Sequence, residues 1–187
     1  MSSTWLVTGS NRGIGLAIVD LLLKDTSNFV IATTRKPYAE SLRELVEHVN
    51  IPGKPPRLHI VRLDVQDAGE AQRAADIVAE LVPGGIDYFV GNAGVNYQPQ
   101  TAFDDLDLDL FLEELKYYTV DVIRLLKPFL PLILKSSAKK VVFLTSICSS
   151  LELAKKFHDI SYPYCVAKTA LNMLLVKWGF VFNIPTF

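Results

Sequence analysis

Thr8-Gly9-Ser10-Asn11-Arg12-Gly13-Ile14-Gly15 decides how the rest of the chain reads. A short apolar run, Trp5-Leu6-Val7, precedes it, and Leu16 to Leu23 follows with apolar residues at helical spacing. Strand, glycine turn and helix is the arrangement in which a nucleotide pyrophosphate rests against the positive end of a helix. Gly9 can take backbone angles closed to other residues, and Gly13 and Gly15 let backbone come close to phosphate and sheet. The spacing is G-x-x-x-G-x-G rather than G-x-G-x-x-G, so context has to carry the assignment. Around the turn, Ser10, Asn11, Arg12 and Ile14 join the three glycines as candidate cofactor contacts.

Strands and helices alternate along the chain. Phe29 to Thr34 reads as a second strand, Ser41 to Val49 as a helix and Leu58 to Leu63 as a third strand ending at Asp64. A helix over Gly69 to Leu81 leads to a fourth strand, Ile86 to Val90, ending at Gly91-Asn92-Ala93-Gly94. Leu110 to Leu134 is one long helical stretch, expected to bend at Pro128 or Pro131. Val141 to Leu144 gives a fifth strand running into Thr145-Ser146, and a helix from Tyr164 to about Trp178 follows Pro163. This pattern predicts an α/β fold with a doubly wound parallel sheet in a single domain, whose ligands gather at the carboxyl ends of the strands. Residues 1–178 form that domain, and residues 179–187 read as an atypical C-terminal tail.

Composition narrows the partners. The 187 residues carry a net charge of −1 with no basic block, which argues against nucleic acid. Half the residues are hydrophobic, enough for a real core. The two cysteines, Cys148 and Cys165, lack metal-type spacing and suit a reduced cytoplasmic protein. The apolar stretch Val120 to Leu134 is interrupted by charge and proline, so no membrane span is expected there, and Met1 to Thr4 leaves no room for a secretory signal. Asp104, Asp105, Asp107 and Asp109 precede a helix and read as carboxylates at its positive end, so no metal is expected. His48, His59 and His158 are scattered without ligand spacing.

The polar signatures fall just after strands. A free ribose 2′-hydroxyl is usually held by an acid after the second strand, whereas a 2′-phosphate wants an arginine. Thr33-Thr34-Arg35 offers no acid, and Arg12 adds a second guanidinium, so NADP is expected over NAD. The competing reading makes Arg35 a solvated loop residue. Tyr164 and Lys168 are four apart and share a helix face. An ammonium beside the phenol favours the phenolate, and lowering its pKa by roughly three units takes about 4 kcal/mol, which the lysine together with an oxidised nicotinamide is expected to supply. An exposed i,i+4 pair is the alternative, and Tyr162 lacks a lysine partner. Ser146 can donate to a carbonyl oxygen, with Ser149 and Ser150 as competitors and a local backbone cap as the rival role.

Taken together, Thr8 to Gly15, Leu63-Asp64-Val65, Asn92-Ala93-Gly94, Thr145-Ser146 and Tyr164-Cys165-Val166-Ala167-Lys168 make the chain resemble the short-chain dehydrogenase/reductase family, whose fold is of Rossmann type. The run Tyr164 to Asn172 is most similar to fungal ketoreductases of polyketide pathways, of the norsolorinic acid ketoreductase type. The resemblance implies that Ser146 polarises a carbonyl and Tyr164 passes the proton. Lys168 then lowers the tyrosine pKa and binds the nicotinamide ribose, Asp64 with Val65 sits at the adenine, and Asn92, Ala93 and Gly94 support sheet and cofactor. It implies reversible hydride transfer between NADP(H) and a small carbonyl or secondary alcohol, in secondary metabolism. The alternative is a shortened NADP-binding relative without turnover.

Three departures stand out. The asparagine that family members carry in the long helix is absent from Glu113 to Pro131, and its slot falls near Tyr118 or Thr119. Gly91 stands where a second asparagine often precedes Asn92. Family members also continue through further strands and a substrate-covering helix, so the sequence reads as truncated or as running through an unspliced intron, with an uncovered sheet edge. Leu110, Leu115, Val122, Leu125 and Leu126, with Leu171, Leu174, Leu175 and Trp178, form helix faces suited to a homodimer or homotetramer, or equally to ordinary core packing.

Overall fold

The computed structural model describes residues 3–36, 39–156 and 160–182. Five parallel strands form one sheet in the order β3-β2-β1-β4-β5: β1 Thr4–Thr8, β2 Phe29–Thr34, β3 Leu58–Arg62, β4 Tyr88–Gly91 and β5 Lys140–Phe143. The central β1 is Trp-Leu-Val flanked by threonines, and Leu6 and Val7 are fully buried. A strand covered on both faces has no solvent side, which is why its sequence is apolar throughout rather than alternating. Thr8 is in register with Thr33, and Val7 with Val90, so the loops after β1, β2 and β4 leave the sheet at the same edge.

Helices α1 (Gly13–Leu23), α2 (Glu40–Val49) and α3 (Ala68–Leu81) connect the first four strands. Val19 and Leu23 of α1 and Leu42 of α2 pack with Val7, Val30, Ala32, Leu58 and Val90. Burying each of these aliphatic side chains contributes about 1.5–3 kcal/mol. The chain turns back at β1: β2 and β3 build outward on one side, β4 and β5 on the other. That reversal leaves a crevice outside the carboxyl ends of β1 and β4.

The chain is a single α/β domain whose contacts divide into two compact units, Met1–Ala93 with Leu125–Leu144, and Gly94–Arg124 with Thr145–Phe187. The sheet and α1 to α3 belong to the first. The second contains α4 (Leu108–Lys116) and α6 (Tyr162–Phe182), which pack on each other. Asp107 caps α4, its carboxylate accepting the Asp109 and Leu110 amides.

Several boundaries differ from the sequence expectation, each for a local reason. The long helical stretch is interrupted at Tyr117–Asp121, where the backbone makes one π turn, and resumes as α5 (Val122–Lys135). Pro128 and Pro131 both lie inside α5, which runs on through them. Buried Asp121 receives Lys116 at 3.0 Å and Arg124 at 3.1 Å around that turn. Helix α6 starts at Tyr162 rather than Tyr164, so Pro163 sits in its first turn, where an N–H has no intrahelical partner to lose. Gly179, which reads as a stop, is buried within α6, and residues 179–182 are helix rather than tail. Residues 183–187 of the expected tail, and His158, lie outside the described residues.

Ile86 and Asp87 precede β4 because their groups are used elsewhere: the Ile86 amide donates to Leu132 O, and the Asp87 carboxylate accepts the Thr4 amide and the Ser136 hydroxyl. Of the residues expected at an oligomer face, Val122, Leu125, Leu126 and Leu171 are buried within the chain, which favours the core-packing alternative for them. Helix α6 is long and apolar enough to cross a membrane by length and composition alone, a feature absent from the sequence expectation.

Candidate active site

In the first unit, the predicted cofactor residues line the carboxyl edge of the sheet. Gly9 and Gly13 have φ of +68° and +56°, the left-handed region that favours glycine, and this folds the turn back over β1. A Cβ on Gly13 would meet open space, whereas one on Gly15 would overlap the Asn92 amide and the Gly9 carbonyl. Asn92 fixes the turn from below: its side-chain amide donates to Thr8 O at 2.9 Å and Gly9 O at 3.0 Å. The Thr8 hydroxyl accepts both the Asn92 and Ala93 amides, at 3.0 and 3.1 Å. Ser10 is spent internally, with its hydroxyl on Val7 O and its amide on Thr33 O. Asn11 O accepts the Ser41 hydroxyl and ties the turn to α2.

Arg12 occupies the position before α1 and supplies no side-chain cap. The first amides of a helix have no intrahelical acceptor, so this end of α1 offers donors to an anion. Ile14 is exposed on its first turn. Thr33 Oγ1 at the end of β2 is buried without a hydrogen-bond partner among the described residues. Arg12 and Arg35 are exposed and make no ion pair among the described residues. Asp64 accepts the Gln66 amide at 3.1 Å and donates its own amide to Glu70, with Val65 half-buried beside it. An open turn, an uncapped helix end, an orphaned hydroxyl and two uncommitted guanidinium groups fit a phosphate-bearing dinucleotide. Gly91, which departs from the family pattern, has a steric cause: a Cβ there would overlap the Phe143 ring.

In the second unit, opened by Gly94, the three predicted catalytic residues come together. Ser146 follows β5 and its hydroxyl accepts the Cys148 amide at 3.2 Å. The same hydroxyl lies close enough to the Tyr164 phenol to pull its pKa down. The competitors Ser149 and Ser150 have other partners. Buried Ser149 bonds Ser146 O, Asn172 and Thr145, while the Ser150 hydroxyl accepts the Leu153 amide. Tyr162 faces away onto Phe103, ring to ring at 5.9 Å. Thr169 bonds Ser149 O at 3.1 Å and so fastens α6 to the turn carrying Ser146.

Lys168 is 4% exposed, and burial lowers its pKa to about 8, with Glu114 opposing the change. Its Nζ stands 4.1 Å from the Tyr118 ring centre and 5.6 Å from that of Tyr164. For the chain by itself the Tyr164 pKa is shifted upward. Burial raises Tyr164, the Ser146 hydroxyl pulls it down, and Cys148, Glu114 and Cys165 add to the rise. Taking a phenolate out of water outweighs the pull of the Ser146 hydroxyl.

Three features escaped the sequence reading. Tyr118 fills the slot of the missing asparagine: its hydroxyl donates to Val95 O at 2.7 Å and accepts the Val95 amide at 2.8 Å, and burial raises its pKa strongly. Its ring meets Tyr164 edge-on at 5.8 Å. Glu114, one turn earlier, is fully buried, although its Glu-Glu-Leu setting resembles a solvated helix face. Ser161, just before α6, has φ +52°, and its hydroxyl accepts from the Asn96 side-chain amide and donates to Pro99 O. Tyr118 lies within the π turn, a type of irregular turn frequent at functional sites, and Glu114 lies on α4, which packs on α6.

Comparison with known proteins agrees with this geometry. Residues 3–180 match the family described as short chain dehydrogenase. The short-chain dehydrogenase/reductase AacuF of Aspergillus aculeatus is 30% identical over 187 residues, covering 94% of this chain and 66% of that protein. The short-chain dehydrogenase/reductase atnB of an Arthrinium species is 31% identical, covering 95% and 68%. The chain thus spans about two thirds of the length of the curated relatives it matches. The NADPH-bound carbonyl reductase from chicken fatty liver is 31% identical with a TM-score of 0.77, covering 91% of this chain and 67% of that one. On the matched 178 residues and this sheet, the chain belongs to the short-chain dehydrogenase/reductase family, whose members are oxidoreductases.

Proposed function

We propose that this oxidoreductase is an NADP-dependent ketoreductase acting between a small carbonyl compound and its secondary alcohol, in secondary metabolism. The observation that carries the reading is the neighbourhood of Tyr164, with the Ser146 hydroxyl beside its phenol and the buried Lys168 on the next turn of the same helix, 5.6 Å from its ring centre. The nicotinamide, when bound, supplies the hydride. The two hydroxyls hold the carbonyl oxygen and polarise the C=O bond. As the carbonyl carbon gains its hydride, the oxygen takes the Tyr164 proton and becomes the alcohol. A phenol whose pKa is raised by burial is suited to remain protonated as the donor for reduction. Lys168, charged below about pH 8, orients the phenol and would hold the nicotinamide ribose.

NADP over NAD is supported by exposed Arg12 and Arg35 and by the absence of an acid at residues 33–35, and the similar chicken enzyme carries NADPH. The fungal origin of two relatives supports secondary metabolism. The free thiols Cys148 and Cys165 support a cytoplasmic setting, and the net charge of −1 supports a small-molecule partner over nucleic acid. The exposed α6 residues Met173, Val176 and Phe180 support a homodimer or homotetramer.

Fluorescence titration with NADPH, followed by NADPH consumption on a panel of aryl ketones and quinones, tests the reading. Turnover that Tyr164→Phe abolishes while NADPH still binds is the expected result. Binding without turnover on any carbonyl would make the chain a nucleotide-binding relative instead, and no binding would overturn both.

A further inference from the structure

Glu114 is fully buried, and its two oxygens are treated unequally. Oε2 accepts the Tyr97 amide at 3.3 Å, while Oε1 has no hydrogen-bond partner among the described residues. A carboxylate is stable in such a place only with a compensating charge. The buried cation on the packed helix α6 is Lys168, at 4% exposure. Glu114 and Tyr118 lie one turn apart on the α4 side, and Lys168 Nζ stands over the Tyr118 ring at 4.1 Å. The nearby acid Asp121 is committed to Lys116 and Arg124.

We infer that Glu114 is a positioning residue for the acid–base site: its buried carboxylate, acting through the low-dielectric interior, keeps the Lys168 ammonium charged beside Tyr118 and Tyr164. The inference rests on the catalytic roles proposed above. The groups facing the pair are Tyr118 from the π turn, Tyr164 and Cys165 from α6, and Cys148 from the turn after β5. Charge acts in both directions: Lys168 pulls the burial-raised Glu114 down, and Glu114 pulls the burial-lowered Lys168 up. Removing the carboxylate also removes a charge that raises Tyr164. Both effects act with one sign, so the form with Tyr164 protonated and Lys168 charged is lost at lower pH.

The direct test follows the Lys168 Nζ nitrogen by NMR across a pH titration of the full, cofactor-free chain, with Lys168→Arg providing the assignment. In Glu114→Gln the midpoint is expected about one pH unit below that of the unaltered chain, a tenfold change in proton affinity. In Glu114→Asp, which keeps the charge, it stays near the unaltered value. An unmoved midpoint in Glu114→Gln overturns the inference. Should that variant not fold, the Glu114 carboxyl carbon of the unaltered chain decides: coupled groups share titration steps, so its signal must respond as Lys168 titrates. Silence there overturns the inference equally.

With a carbonyl substrate, the alkaline limb of kcat/KM for reduction moves to lower pH in Glu114→Gln, while the rate near pH 6 stays within about threefold. A purely structural role would instead lower the rate at every pH and leave the limb in place. If the unaltered chain reduces no carbonyl, the functional reading fails, yet the NMR midpoints still decide the Glu114–Lys168 pairing.

Discussion

The Lys168 ammonium stands 4.1 Å from the centre of the Tyr118 ring, closer than to the centre of the Tyr164 ring at 5.6 Å. A cation over an aromatic face is stabilised by the ring quadrupole, more so when both are buried as here. Tyr118 therefore acts twice, as a platform for the ammonium and, through its hydroxyl, as a clamp on both polar groups of Val95.

Those two roles separate by mutation. Tyr118→Phe keeps the ring but leaves the Val95 amide and carbonyl without their partner, at an expected cost of about 1–3 kcal/mol. Tyr118→Leu loses the platform as well and should cost more. Urea unfolding curves of the two variants check the ordering, and equal losses would show that the ring contributes nothing.

Lys168 gives the stability a defined pH dependence. Its folded pKa, about 8, lies below the unsuppressed value of 10.5, so between those pH values the unfolded chain binds the extra proton. Stability then rises with pH in that window relative to a chain without the group. The penalty lifted is about 3 kcal/mol, since one pKa unit is about 1.4 kcal/mol. The difference in unfolding free energy, unaltered chain minus Lys168→Met, should increase from pH 8 to pH 10.5. A flat difference would contradict the burial argument.

Two glycines of the turn should respond unequally to alanine. At Gly13 the new Cβ meets open space and only the left-handed backbone is strained, costing about 1–2 kcal/mol. At Gly15 it collides with the Asn92 amide that holds Thr8 and Gly9, so the turn must move, at about 2–3 kcal/mol or more. Thermal unfolding ranks them. NADPH affinity should fall further in Gly15→Ala, because there the cradle itself is displaced.

The sheet edge offers a test of self-association. β5 pairs with β4 alone among the described residues, and Val142 on it is 45% exposed. An open, apolar edge invites pairing with another chain, and a lysine there discourages it. Val142→Lys should leave the fold within about 0.5 kcal/mol and lower the fraction of large species in sedimentation velocity. An unchanged distribution would place association elsewhere, with the exposed Phe180 of α6 as the next position to alter.

The sequence by itself determined the sheet, its order of elements and the positions of the glycine turn, Ser146, Tyr164 and Lys168. Those rest on short-range rules: apolar runs of strand length, helical spacing, and glycine where the backbone must fold back. Thr8, Gly9 and Asn92 were legible because each follows a strand. Only the tertiary structure decided what surrounds the lysine. Glu114 sits in a run of charge that a solvated face would share, and Tyr118 stands out only as one of two positions for the absent asparagine, with nothing local to show that it carries the ammonium. Both are buried where α4 and the π turn at Tyr117–Asp121 pack on α6. Burial and charge pairing depend on neighbours far apart in the chain, and no local spacing encodes them.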